Sequence, residues 1–310
     1  MFIDCGAAVR AYRPGPIPMP GVRDATPMIH VERWQGGWRE RLTERLAYPL
    51  VYLLNRPRLA GVGRLLYDLA LRCNGIGIAY PGSAGLTRPE ERFLRAAAPQ
   101  LQGGLVLDVG ANAGAYAAFV RALAPDATVA AFEPHPRTFR QLRAMAARHG
   151  FEALQLAVGE TAGTAMLHDF ADADGSTQAS LDAQAVRLHG GGATVAHAVE
   201  CVRLDEYVAT RGWGRIALLK IDTEGFDLAV LHGAAQLIRD RRIGMIQFEF
   251  IPANIVRPVT MRDFYEALPG YVIHRVCVNG ALLPMPDYSV KRCEIFVIQT
   301  LVALPAGAPA

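Results

Sequence analysis

A doubly wound α/β protein on a mostly parallel sheet is the fold this sequence predicts. Three observations carry that expectation. From about residue 85, short apolar runs alternate with amphipathic helical stretches, the pattern of parallel strands joined by crossover helices. The first run ends in a glycine turn, Asp108-Val-Gly-Ala-Asn-Ala-Gly114, where such sheets bind ligands. The last two runs, 271–278 and 293–300, have no helix between them and are expected to pair antiparallel.

The elements follow in chain order. Residues 1–30 contain Pro14, Pro16, Pro18, Pro20 and Pro27. Proline gives no backbone donor and restricts its predecessor, so this segment is expected to be extended or disordered. Trp34, Trp38, Leu42, Leu46 and Leu50 recur on one helix face, with Pro49 and Pro57 as interruptions. Leu59 to Cys73 reads as a second amphipathic helix. Residues 31–84 thus form a helical extension. Its simplest role is a cap on the main domain. A homodimer contact, or contact with a membrane or lipid-linked substrate through its arginines, is the alternative.

Thr87 and Glu90 make a capping box with Pro89 in the first turn, starting a helix from Pro89 to Ala97. Strands are expected at 105–110, 128–133, 153–158, 216–222 and 244–250. Helices are expected at 115–124, 136–148, 226–240 and 260–267. With the terminal pair this makes seven strands, in a main domain spanning 85–303. Residues 160–198 form an insertion with a small strand at 164–168, the rest being either a lid or a flexible loop. The tail 304–310 is expected to be disordered, with Leu301 to Ala303 extending the last strand.

The 310 residues are 51% hydrophobic and 20% charged, with a net charge of +3. That describes a soluble globular chain without the basic surface that nucleic acid requires. Five scattered cysteines lack metal-ligand spacing and fit reduced thiols in a cytoplasmic protein. The N-terminus lacks a secretory pattern, and the apolar stretch Leu46 to Leu54 is too short to be a transmembrane segment. The only lysines are Lys220 and Lys291. Lys220 is notable because it sits in an apolar run.

Gly110 and Gly114 let the backbone approach a ligand closely, and the next helix offers free N–H groups. The turn is not a dinucleotide fingerprint, because Asn112 stands where G-x-G-x-x-G needs glycine, and G-K-[ST] is absent. A smaller, partly cationic ligand fits better, with Asp108 beside the turn to attract an ammonium. An ordinary glycine turn capped by Asp108 is the structural alternative. Glu133 ends the second strand, where a carboxylate suits ribose hydroxyls or simply caps the helix after Pro134 and Pro136. Lys220 and Asp222 share one face near the end of the fourth strand, Glu224 lies in the following turn, and Glu249 ends the fifth strand. Three carboxylates and a lysine therefore converge at the mouth of the sheet. A structural tie through Lys220 is the competing account.

Taken as an ordered set, Asp108-Val-Gly-Ala-Asn-Ala-Gly114, Phe132-Glu-Pro-His-Pro136, Ala157-Val-Gly159, Val202-Arg-Leu-Asp-Glu-Tyr207, Lys220-Ile-Asp-Thr-Glu-Gly225, Val230-Leu-His-Gly233 and Phe248-Glu249 resemble the FkbM family of methyltransferases. The resemblance covers about residues 90–300. It implies the seven-stranded class I methyltransferase fold, S-adenosyl-L-methionine as methyl donor, and O-methylation of a hydroxyl on a sugar, glycan or secondary metabolite. It places Asp108, Gly110, Asn112 and Gly114 around the methionine moiety. It puts Glu133 at the ribose, with Pro134 and Ala157 in the same cofactor site. Members often carry D-x-E-G-x-E, whereas Asp227 fills the last place here.

On this reading Asp222 is the general base or the acceptor-orienting group, supported by Lys220, Glu224 and Glu249. His135, His232 and His168 are weaker candidates. Mg²⁺ on Asp222, Glu224 and Glu249 is a less favoured addition. The partner is a small-molecule or glycan acceptor. The rival reading is a non-catalytic S-adenosylmethionine-binding or scaffold module of the same fold.

Overall fold

The computed structural model describes residues 38–308, apart from 84, 177, 182, 190 and 191. It falls into two compact units, Met1–Gly63 and Arg64–Ala310. The proline-rich first thirty residues and Trp34 lie outside the described residues. In the first unit a helix runs Trp38–Leu54 with Pro49 inside it, followed by a 3₁₀ turn at Pro57–Leu59. Leu46 and Leu50 of the expected apolar stripe are exposed on that helix. A helix Ala60–Cys73 continues into the second unit. No helix among the described residues is long and apolar enough to cross a membrane.

The second unit starts earlier than residue 85. Ile76 and Ile78 are buried, and the Gly77 N–H donates to the Ile298 carbonyl at 2.8 Å. Its strands are β1 (Leu105–Val109), β2 (Thr128–Phe132), β3 (Glu152–Leu154), β4 (Ala157–Val158), β5 (Gly163–Phe170), β6 (Thr194–Val202), β7 (Ile216–Ile221), β8 (Ile243–Phe250), β9 (Tyr271–Val276), β10 (Leu282–Met285) and β11 (Gln299–Pro305). The main sheet has the order β10-β9-β11-β8-β7-β1-β2-β3. β1 pairs in parallel with both β2 and β7. Chain progression therefore runs outward from β1 on one side and outward from β7 on the other. The boundary between them is a topological switch point, where doubly wound sheets open a crevice at the carboxyl ends of the strands. The central strands are buried along almost their whole length, which is why they read as continuous apolar runs rather than alternating ones.

β11 lies antiparallel between β8 and β9, the pairing sense expected, but the expected strand 293–300 is corrected: a short helix Val290–Cys293 precedes it and the strand begins only at Gln299. The sheet carries one strand more than the seven expected: β10 pairs with β9 at the edge. Its signal was the Asn279-Gly280 pair, a hairpin turn, with Gly280 at φ +82°. Pro284 in β10 is tolerated because β10 is an edge strand. β11 runs on through Leu304, which is buried, so the disordered tail expected from residue 304 is corrected for Leu304 and Pro305.

Most helices fall near their expected bounds: Arg88–Leu101, Ala115–Leu123, Pro136–His149 and Met261–Ala267. The expected helix 226–240 is instead two short ones, Asp227–Gly233 and Ala235–Arg239. The break falls at Gly233, where a Cβ would stand 2.1 Å from the Gly159 carbonyl oxygen. The expected strand 153–158 is also split. β3 joins the main sheet, while β4 joins β6 and β5 in a separate three-stranded sheet. The insertion is more ordered than its composition suggested, with a helix at Ala183–His189 and the nine-residue β6. β6 was hard to read because Ala196 and Ala198 weaken the period-two contrast that marks a strand.

Candidate active site

A cavity of about 410 Å³ opens at the switch point, between the carboxyl ends of β1, β2 and β7. Gly110, Asn112, Glu133, Pro134, Ala157, Lys220, Asp222 and Glu224 all line it. Asp108, Gly114 and Glu249 do not. They stand behind the lining or beside it.

The β1 turn is shaped by close backbone packing. Gly110 has φ +76°, and a Cβ there would sit 1.8 Å from the Asp222 carbonyl oxygen. Only glycine fits that approach. Asn112 is also left-handed, at φ +48°, and its N–H donates to Glu133 Oε2 at 3.0 Å. Gly114 serves packing: a Cβ there would meet Leu142 Cδ1 at 2.8 Å.

Glu133 is held by backbone donors at both oxygens, the second being the His135 N–H to Oε1 at 2.8 Å. Burial pushes its pKa up to about 7, against those two hydrogen bonds. Each carboxylate oxygen retains further acceptor capacity. Pro134, Leu156, Ala157 and Val158 add an apolar wall beside it.

The β7 end is organised by charge. Lys220 is buried, with Nζ 3.2 Å from Asp222 Oδ2, 3.4 Å from Asp108 Oδ1 and 3.5 Å from the Gly110 carbonyl. Burial works to lower the lysine pKa, but the carboxylates of Asp222 and Asp108 more than reverse this, so it stays an ammonium. Asp108 is fully buried, and neither of its oxygens accepts a hydrogen bond of regular geometry. Burial raises its pKa and Lys220 opposes that. The Asp222 side chain is 38% exposed and meets the cavity.

Glu224 sits in the turn after β7 at φ +52°. Burial, then the charges of Asp222 and Asp227, push its pKa up to about 8. Glu249 is likewise raised well above the usual range, first by burial and then by Asp222. Asp227 fastens the turn to β8. It accepts from the Thr223 N–H and hydroxyl at 3.0 and 2.6 Å, and from the Glu249 N–H at 2.9 Å.

Sequence reasoning missed three groups at this site. Glu90 had appeared only as a helix cap, yet it lines the cavity and accepts from Gln247 Nε2 at 3.0 Å. Gln247 in turn accepts from the Tyr116 hydroxyl at 2.7 Å. Tyr116 carries no motif signal, and the Lys220 ammonium lies 5.4 Å from its ring centroid. The insertion supplies a wall through Ser176, Ala179, Ser180 and Leu181, and the Ser180 hydroxyl donates to the Glu224 carbonyl at 3.1 Å.

The histidine candidates lie elsewhere: His135, His168 and His232 do not line the cavity. Among the described residues, Asp222, Glu224 and Glu249 do not draw together as a metal-ligand group.

Strand order, switch point and acid-ended second strand together define a class I methyltransferase fold. A family model described as the methyltransferase FkbM domain matches residues 108–267. The chain belongs to the FkbM methyltransferase family. It is 33% identical over 166 residues to the 31-O-demethyl-FK506 methyltransferase FkbM of Streptomyces tacrolimicus, covering 46% of this chain and 63% of that protein. It is 32% identical over 153 residues to methyltransferase sdnD of Sordaria araneosa, covering 41% of this chain and 59% of the relative. The chain thus matches less than two thirds of the length of either relative. Among solved structures, methyltransferase FkbM from Methylobacillus flagellatus is similar with a TM-score of 0.40 at 14% identity, over 64% of this chain and 43% of that one.

Proposed function

We propose that this protein is an S-adenosylmethionine-dependent O-methyltransferase acting on a hydroxyl of a sugar, glycan or secondary metabolite. One observation carries the reading. A single cavity holds Glu133, with spare acceptor capacity, at one end and Asp222, ion-paired to buried Lys220, at the other. The donor's chemistry fits these groups. A ribose diol can fill the free acceptor positions of Glu133. A cationic sulfonium and ammonium suit a cavity lined by the carboxyl groups of Glu90, Glu133 and Asp222. The O-methyl named for the Streptomyces tacrolimicus relative supports a hydroxyl acceptor.

When bound, S-adenosylmethionine supplies a methyl carbon already activated on sulfur, so the chain's own work is alignment and proton removal. Glu133 and the Gly110 turn hold the donor's two ends. Asp222 would accept a hydrogen bond from the acceptor hydroxyl and take up its proton as that oxygen receives the methyl group. Lys220 Nζ, 3.2 Å from Asp222 Oδ2, holds that carboxyl group in place beside the cavity. Glu224 and Glu90 line the approach. The proton leaves Asp222 to solvent.

Calorimetric titration with S-adenosylhomocysteine, wild type beside Glu133→Ala, tests the donor site. Loss of two charge-assisted hydrogen bonds is expected to weaken binding by roughly tenfold or more. Labelled methyl transfer to a panel of sugar and polyol hydroxyls then tests the acceptor class. No binding of S-adenosylhomocysteine by a folded wild type would sink the proposal.

A further inference from the structure

Outside the cavity, three side chains converge that the methyl-transfer reading does not use. His135 Nε2 and His197 Nε2 lie 2.9 and 2.8 Å from the same atom, Asp174 Oδ1. The two imidazole rings stand nearly perpendicular, with centroids 4.7 Å apart. One donor atom from each of the three residues falls within 4.8 Å of the others, the only such group among the described residues. We propose that His135, His197 and Asp174 form a binding site for a divalent transition-metal ion of the zinc type, which fastens the insertion to the end of β2.

The site is held in place from behind. His135 caps the helix Pro136–His149 and is buried. His197 projects from β6. Asp174 sits in a loop wound around the fully buried carboxylate of Asp169. That carboxylate accepts from the N–H groups of Phe170, Gly175 and Ser176 and from the Ser176 hydroxyl, at 2.5 to 2.9 Å. Asp169 Oδ2 also stands 3.5 Å from His135 Nε2. The hydrogen bonds to Asp169 fix the loop that carries Asp174.

The charge is also right for a cation. Among the described residues no lysine or arginine pairs with the carboxylate of Asp169 or Asp174. Arg137 spends Nη1 on the Asp174 carbonyl instead. Two imidazoles and one carboxylate make a nitrogen-rich set that favours zinc-type ions over Mg²⁺ or Ca²⁺. His197 lines an open hollow of about 330 Å³, a route from solvent. A fourth position is left for water.

A competing use of these atoms is a purely hydrogen-bonded clasp. His135 Nδ1 accepts the Arg137 N–H at 3.2 Å, which places the ring proton on Nε2, facing Asp174. On metal binding that proton moves to Nδ1 and the helix cap is given up. One cap is a small loss beside transition-metal coordination, so the ion is preferred where it is present. The ion would sit two residues from Glu133, whose carboxylate the His135 N–H already holds.

The full chain, freed of metal with a chelator, is titrated calorimetrically with Zn²⁺ and optically with Co²⁺. One equivalent should bind, and His197→Ala should weaken binding by at least about tenfold. Asp174→Asn keeps an oxygen acceptor for a clasp but removes the charge, and should weaken the metal similarly. X-ray absorption on the zinc-loaded wild type needs no variant. It should show only nitrogen and oxygen ligands, at about 2.0–2.2 Å. Sulfur ligands, binding that both substitutions leave unchanged, or no saturable binding by folded wild type overturns the site.

Discussion

The two ends of the cavity are built on different principles. At the β1–β2 end, backbone geometry does the positioning. Gly110 is fixed by a carbonyl that leaves no room for a Cβ, and Glu133 is held by the N–H groups of Asn112 and His135. At the β7–β8 end, charge does it. Lys220 bridges Asp108 and Asp222, while Glu224 and Glu249 hold their protons tightly. The first end should be the more sensitive to shape. The second should be sensitive to charge and tolerant of shape.

The largest expected effect breaks the charged end without changing its shape. Asp222→Asn is nearly isosteric and removes the proposed proton acceptor. Turnover in a labelled methyl-transfer assay should fall by about 10²–10⁴-fold, while the dissociation constant for S-adenosylhomocysteine stays within about threefold, because the donor end keeps its contacts. Unchanged turnover would remove Asp222 from the reaction. The complementary change is Gly110→Ala, which alters shape and not charge. It forces a methyl group against the Asp222 carbonyl in a left-handed backbone. Urea denaturation should show a loss of about 3 kcal/mol or more. A loss below about 1 kcal/mol would mean that the β1 and β7 turns separate easily.

The same contrast explains what could be read in advance. The β1 turn and the acid after β2 are legible because a short, fixed spacing of Gly110, Asn112 and Glu133 encodes their geometry locally. The parallel core was legible through its unbroken apolar runs. The charged end was legible as residue types on strand ends, but not as an arrangement. The two-residue spacing puts Lys220 and Asp222 on one strand face, but nothing in it says that Lys220 also reaches Asp108, or that Glu249 faces Thr300 rather than the cavity. Glu90 and Tyr116 reach the site from distant segments through Gln247, a contact set by tertiary packing alone. β6 and the Asp174 loop were missed because alanine, glycine and aspartate carry little periodic signal.

The smallest expected effect sharpens the comparison through pH. Burial raises the pKa values of Asp227, Glu133 and Glu224 to about 6, 7 and 8 respectively. Each acid binds its proton more tightly in the folded chain than in the unfolded one. Their contribution to stability is therefore fully present below about pH 4, and is lost as pH rises through 6 to 8. Ligand-free protein should lose stability between pH 5 and 8, by at most about 1.4 kcal/mol per pH unit for each of these acids still protonated, read from urea midpoints. Donor binding should run the other way, because ionised Glu133 is the better acceptor for ribose hydroxyls. The affinity for S-adenosylhomocysteine should fall by up to about tenfold for each pH unit below 7, and Glu133→Gln should flatten that limb. Glu224→Gln should leave the binding limb in place and reduce only the stability slope. If Glu224→Gln flattened donor binding instead, the two ends would be electrostatically one site, and the division between a backbone-built end and a charge-built end would fail.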